Sequence, residues 1–345
     1  MQEIILYSFS AFLISLAITY VAIPAVISLS IKYNKGALED ERSSHKGIVP
    51  NLGGIAISFG QILSLLLVAE LDSLRILSLS YVLILILGVY DDLIPISALK
   101  KLIAQIIISL LLILFADIRI DNFQGVLGIH ELPQSVSVIF SVFVYIVITN
   151  AYNLIDGIDG LASGIGIIAA VSFGILAVYM HQYNMSVIAF ALSGSLLAFL
   201  KYNFHPAKIF MGDTGSLCIG MIFSVLSMNI IKNGCEIDFV DFKDKGPLIA
   251  IALLAIPLFD SLRVFVIRLS KGSHPLRAGR DHIHHLLLDL NFGHKKSSFY
   301  LYSAAIFLII VSYFLINLNI NYAIAILSAV SFLVLAIPFY FLKKK

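Results

Sequence analysis

The sequence predicts an all-α polytopic membrane protein with about eleven transmembrane helices, and three observations predict it. Apolar residues make up 59% of the 345-residue chain. Charged residues make up 13%, where a water-facing surface calls for about 25% of a globular sequence. The apolar residues also gather in runs long enough to cross a bilayer, which takes about 20 residues as a helix. Most of the surface must therefore meet something other than water, which excludes a soluble enzyme. Disorder is excluded by the same composition, and a net charge of +2 excludes a strongly basic nucleic-acid binder. Two cysteines, Cys218 and Cys235, make neither a disulfide framework nor a thiolate metal site.

The first run, residues 4–31, lacks a basic lead and is too long for a signal-peptide core, so it reads as an anchor that stays. The second, 52–70, opens through Pro50 and Gly53-Gly54, and the third, 75–90, ends at Asp91-Asp92 and is stopped by Pro95. The fourth and fifth cover 101–116 and 134–150. The sixth, 161–179, follows Asp159, and the eighth, 215–231, follows Asp213 and Thr214, each a ready N-cap. Between them lies the seventh, 185–200. The ninth, 247–267, alone carries charges well inside its run, Asp260 and Arg263, beside Pro257. It is a candidate for a broken helix lining a groove, or for a kinked packing helix with an i, i+3 polar contact. Runs at 299–316 and 320–342 complete the set.

Eighteen of the 23 Lys and Arg fall in alternate loops on one side, a bias that puts the C-terminus in the cytoplasm and the N-terminus outside. There is no internal repeat and no linker, so residues 1–345 read as one integral-membrane domain. A transporter would need charged groups at mid-membrane and repeats; only the ninth run carries such charges, and no repeat is evident. Chemistry must sit in the loops, and the polar clusters fall in those on the basic side.

Asp91 and Asp92 end an apolar helix against its dipole and repel each other, an arrangement that wants a cation nearby. In Asn150 to Gly160 polar groups recur every third residue, so on a helix Asn153, Asp156 and Asp159 would share about 120° of one face. Gly157 and Gly160 would let backbone approach a ligand. Asp213 stands between two glycines at the membrane surface, suited to a metal. The segment 270–298 holds five of the nine histidines, including His274, His282, His284, His285 and His294, together with Arg277 and Arg280. Zinc is the rival reading of His282-Ile283-His284-His285, but adjacent arginines repel a dication, and His282 and His284 point apart if the segment is helical. Lys46 lies in a further basic stretch leading into the second run. Carboxylates and an amide beside Arg, Lys and His make a site for a polyphosphate bound through a hard divalent cation, magnesium or manganese.

In order and content these motifs resemble the polyprenyl-phosphate N-acetylhexosamine-1-phosphate transferase family, over essentially the whole chain. The runs AYNLIDGIDGLASG (151–164), PAKIFMGDTGSL (206–217) and HIHH (282–285) carry the likeness. The type is that of bacterial undecaprenyl-phosphate GlcNAc-1-phosphate transferases, with the phospho-MurNAc-pentapeptide translocase, which usually has three consecutive histidines, a distant cousin. The resemblance implies transfer of a sugar-1-phosphate from a UDP-N-acetylhexosamine to undecaprenyl phosphate at the cytoplasmic face of the plasma membrane, releasing UMP and initiating a cell-envelope polysaccharide. It implies magnesium on Asp213, with Asn153 close by, and a homodimer. Asp91, Asp92, Asp156 and Asp159 would be the catalytic carboxylates, the latter two shaping the nucleotide-sugar site. Lys46, Asn150, Asn153, Arg277, Arg280, His282, His284 and His285 would bind substrate. For Asp91 and Asp92 three roles stand open: general base, nucleophile, or positioning of a cation and the attacking phosphate. A phosphate monoester with a second pKa near 6 is mostly dianionic at pH 7, which favours positioning.

Overall fold

The computed structural model describes residues 1–33, 49–237, 240–242, 244–272, 279 and 281–342. Among these, every apolar run is helical: α1 (Gln2–Lys32), α2 (Gly53–Val68), α3 (Leu71–Leu93), α4 (Ala98–Phe115), α5 (Gln134–Leu154), α6 (Leu161–Tyr179), α7 (Tyr183–Asn203), α8 (Gly212–Asn233), α9 (Gly246–Leu253), α10 (Ala255–Ser270), α12 (Gly293–Leu315) and α13 (Ile320–Leu342), with the short α11 (Ile283–Asp289) between α10 and α12. In lipid the backbone must satisfy its own hydrogen bonds, and a helix does so within one segment. The protein is thus a polytopic helical membrane protein.

The number of spans differs from the sequence expectation. Among the described residues nine helices are long and apolar enough to cross a membrane, or ten if the α9–α10 pair is one bent span, whereas α2 has only 16 residues. After α8, β1 (Cys235–Ile237) and β2 (Val240–Phe242) pair as an antiparallel hairpin. The difference in span number concerns marginal lengths, which hydropathy alone resolves poorly.

α8 is the hub. Of its apolar window 94% is buried inside the protein, against 17% for α1, so α8 faces protein all round while α1 turns mainly outward to lipid. Helices in a bilayer gain little from burying apolar surface against each other and associate through close packing and polar contacts. Small residues allow that approach at the start of α8: a Cβ on Gly54 of α2 would lie 2.0 Å from Gly215 N, and one on Gly88 of α3 2.5 Å from Thr214 Cα. The segment before α8 is laced to the start of α2, since Gly53 and Gly54 donate to Phe210 O and Met211 O and Phe210 donates to Pro50 O. Interior polar bonds join other helices, for example Ser64 Oγ to Ala11 O and Tyr81 OH to Gln61 Oε1.

Of the two readings left open for the ninth run, the chain shows a sharp break, an 81° bend between α9 and α10. Pro257 explains it, because its ring has no N–H to offer and clashes with the carbonyl four residues back, at Leu253. The Asp260–Arg263 contact also forms, at 2.8 Å. An apolar cavity of ≈ 290 Å³ borders both halves of the bend, lined among others by Phe140, Val144, Ile231, Ile251 and Leu258.

Candidate active site

The start of α8 is built by α3. Asp92 accepts the backbone N–H groups of Asp213 and Thr214, each at 2.9 Å, and the Thr214 hydroxyl at 2.5 Å. The cap expected from Asp213 or Thr214 therefore comes from another helix, which is why Gly88 must lie so close. Asp213 is released from capping its own helix, and its carboxylate turns to Lys101 and to Asn153, whose Nδ2 donates to it at 2.9 Å and to Ser216 Oγ at 2.7 Å.

Lys101 supplies the cation that the Asp91-Asp92 pair called for. Its ammonium sits between the carboxylates of Asp91 and Asp213. Pro95 makes this possible by holding Ile94 extended (φ −142°, ψ 101°), so that α4 starts beside the end of α3, and Asp91 fastens the turn by accepting Ile96 N–H at 2.8 Å. Sequence reading missed Lys101, although a signal existed. A lysine in the first turn of a helix opposes the dipole just as an aspartate in the last turn does.

Asn150 is used locally: its Nδ2 donates to Gln105 Oε1 and Ile146 O, both at 2.8 Å, tying α5 to α4. The helical fan of Asn153, Asp156 and Asp159 does not exist, because α5 ends at Leu154 and residues 155–160 form turns. The turn separates the three groups. Asp156 stays with the carboxylates, and burial, followed by the charges of Asp213, Asp92 and Asp159, pushes its carboxyl up to about 7.

Asp159 goes elsewhere. It is buried, accepting Ala207 N–H at 3.1 Å and facing His205 Nδ1 at 2.6 Å and His294 Nδ1 at 3.4 Å. Its own backbone N–H donates to His294 Nδ1 at 3.2 Å. Burial raises its pKa, but the neighbouring His294 and His205 imidazoles win and hold it below the usual carboxylate range. It does not cap α6, whose N-cap is Gly160. These three residues have metal-binding types within 4.8 Å of one another. The two imidazoles stack, with centroids 4.8 Å apart and planes 22° from parallel.

The histidine segment docks against the same loop. His282 lies just before α11, so it does not point away from His284; the rings are 5.8 Å apart and 7° from parallel. His284 fills the space over Gly157, where a Cβ would lie 2.1 Å from Nε2. Gly157 is needed for that contact rather than for loosening a helix. Burial and the neighbouring His285 push His284 down to about 3, so it is neutral at ordinary pH. His285 lies 4.3 Å from His284, ring to ring. Buried Asp260 faces His282 Nδ1 at 2.9 Å. Lys46, His274, Arg277 and Arg280 lie outside the described residues.

One six-residue loop, 155–160, thus joins an acidic group centred on Lys101 to a histidine group centred on Asp260. Comparison with known proteins agrees with the motifs that build it. The glycosyl transferase family 4 profile matches residues 74–231, which include every carboxylate named above except Asp260. A Bacillus subtilis protein named "Probable undecaprenyl-phosphate N-acetylglucosaminyl 1-phosphate transferase" is 31% identical over 302 residues, 85% of this chain and 80% of that one. The chain belongs to glycosyl transferase family 4. Its similarity extends to the decaprenyl-phosphate N-acetylglucosaminephosphotransferase of Mycolicibacterium smegmatis, 31% identical over 83% of this chain and 76% of that one. It extends also to the phospho-N-acetylmuramoyl-pentapeptide-transferase of Staphylococcus saprophyticus, 32% identical over 67% and 78%. The family profile stops before His282, so the histidine half of this family 4 protein rests on the full-length relatives and on the geometry.

Proposed function

We propose that this protein transfers N-acetylglucosamine-1-phosphate from UDP-N-acetylglucosamine to undecaprenyl phosphate, releasing UMP and making the lipid-diphospho-sugar that begins a cell-envelope polysaccharide. The observation that carries the reading is the pairing of Asp91 and Asp213 around one cation, joined by the 155–160 loop to the histidine segment. The names of two relatives support a polyprenyl phosphate acceptor and an N-acetylglucosamine phosphate group. The Lys and Arg bias favours the cytoplasmic side for this end of the helices, where a soluble donor and a lipid phosphate at the interface would meet. The cavity beside the α9–α10 bend is apolar enough to take part of a prenyl chain.

In this reaction an oxygen of the lipid phosphate attacks the sugar-bearing phosphorus of the donor. A new P–O bond forms, the bond from that phosphorus to the bridging oxygen breaks, and UMP leaves with the bridging oxygen. No general base is required, since the attacking monoester is already mostly dianionic. The chain's work is positioning and charge neutralisation.

Magnesium, with manganese as its substitute, fits the donor set. Both metals prefer oxygen ligands, and magnesium is commonly held by one or two carboxylates with substrate phosphates completing its shell. Asp91 and Asp213 provide two carboxylates, and the Lys101 ammonium that now bridges them would have to move aside for the ion. Asn153 would orient Asp213 rather than lead the coordination. Bound there, the ion would supply neutralisation of the diphosphate.

The phospho-MurNAc-pentapeptide reaction is the second reading, favoured by the relatives of that name; His282-Ile283-His284-His285, in place of three consecutive histidines, argues against it. The test is to incubate the detergent-purified protein with magnesium, undecaprenyl phosphate and UDP-GlcNAc and identify the nucleotide released. UMP that depends on both lipid and metal is expected. UDP would mean that the other bond breaks and would refute the reading.

A further inference from the structure

Asp260 is a fully buried carboxylate within an apolar span, remote in sequence from the acidic cluster and unused by the chemistry above. Such a group is costly unless all of its hydrogen bonds are met. They are met asymmetrically. Oδ1 accepts Arg263 Nη2 at 2.8 Å and the Ile283 N–H, the first of α11, at 3.0 Å. Oδ2 faces His282 Nδ1 at 2.9 Å. Arg263 reaches past it to the Asp281 carbonyl at 2.5 Å, so the residues leading into His282 are held from both sides. An ion pair with Arg263 would need none of the α11 contacts.

We propose that Asp260 is a positioning residue, fixing the His282 imidazole through Nδ1 so that Nε2 is the nitrogen offered to a substrate phosphate. The inference rests on the transferase reading for the identity of that phosphate, but its geometry stands apart from it. A carboxylate acceptor keeps a proton on Nδ1 in both charge states of the ring. Nε2 is then the nitrogen left free to meet a ligand. Partners of this kind fix both the tautomer and the orientation of a working histidine. The parallel ring of His284, pinned over Gly157, sets the distance from His282 to the loop that carries Asp156.

The experiment combines histidine nitrogen NMR with turnover. In ¹⁵N-histidine-labelled protein, with the His282 signals assigned by their loss in His282→Ala, the wild type should carry its proton on Nδ1, and UDP-GlcNAc should shift Nε2. A His282 protonated on Nε2 alone, or indifferent to UDP-GlcNAc, overturns the proposal, and this arm needs neither turnover nor a variant that folds when Asp260 is changed. Asp260→Asn keeps an oxygen for Arg263 and Ile283 but turns an amide donor toward Nδ1. It should lower UMP release about 10- to 100-fold, beyond whatever melting temperature is lost because buried Arg263 keeps its charge without its carboxylate. In a His282→Ala background it should lower it no further, because the two residues act as one unit. Losses that multiply, or full activity of Asp260→Asn, would overturn the role. Absence of UMP from the wild type would count against the transferase reading alone, leaving the nitrogen assignment to decide this one.

Discussion

Two regions of the molecule use the same device in opposite electrical surroundings. At the start of α8, Asp92 reaches from α3 to take the Asp213 and Thr214 amides; before α11, Asp260 reaches from α10 to take the Ile283 amide. In the first region this frees Asp213 to join Asp91 around Lys101, giving acids that share a cation. In the second it holds His282, giving bases that share an acid. Neither half alone suits a metal-bound diphosphate, whose cation wants oxygen ligands and whose remaining charge wants donors. The loop between them brings Asp156 to one and Gly157 to the other. An aspartate's role here follows from which backbone it satisfies, not from its presence near a site.

The strongest test of that division is Asp213→Ala. If Asp213 is the carboxylate freed for the metal, turnover should fall on the order of 10³-fold, as when a charge-stabilising group is removed from a phosphoryl transfer, while the melting temperature stays near wild type. Manganese binding, followed by its paramagnetic broadening of nearby signals, should weaken in parallel. Turnover retained at saturating magnesium would erase the distinction between Asp213 and its neighbours.

A smaller effect separates the two adjacent acids. Asp92→Ala removes a cap built from three donors and should destabilise the protein by about 1–2 kcal/mol, read as a lower melting temperature in detergent. Asp91→Asn should leave melting almost unchanged and reduce turnover, and raising the pH should not restore it. Recovery at high pH would make Asp91 a general base. Equal melting losses in both variants would mean that the cap is no special property of Asp92.

How much of this was legible beforehand depends on whether the signal was local. The helices could be read because a bilayer imposes length and apolarity on each segment separately, and the break at Pro257 followed from one residue's missing N–H. The demand of Asp91-Asp92 for a cation was also local, although its source, Lys101, came from the next helix. The helical fan failed because hydropathy continues through Leu154 to Ile158, whereas the backbone turns to fit Gly157 beneath His284. The shared carboxylate of Asp159 was illegible, since His205 and His294 arrive from segments 46 and 135 residues away. Asp260 stood out as a charge inside a span, but its partner His282 is 22 residues on and joined only by the fold.

The smallest expected effect probes the seam between the regions. Asp156 has a carboxyl pushed up to about 7 in the folded protein against 3.8 for an open chain, because it is half-buried and sits near Asp213, Asp92 and Asp159. Between those values the unfolded chain has already released a proton that the folded protein still holds. Stability must therefore fall as the pH rises from about 4 to about 7, and stay lower above that. Asp156→Asn cannot ionise, so it should melt at the wild-type temperature near pH 4 and about 2 °C or more above it at pH 8. Magnesium should narrow the gap at pH 8, because a cation shared by Asp91 and Asp213 weakens the repulsion that Asp156 feels. A gap that ignores magnesium would place Asp156 outside the acidic region. A gap that persists undiminished at pH 4 would mean that the gain comes from packing, with the charge of Asp156 playing no part in dividing the two halves.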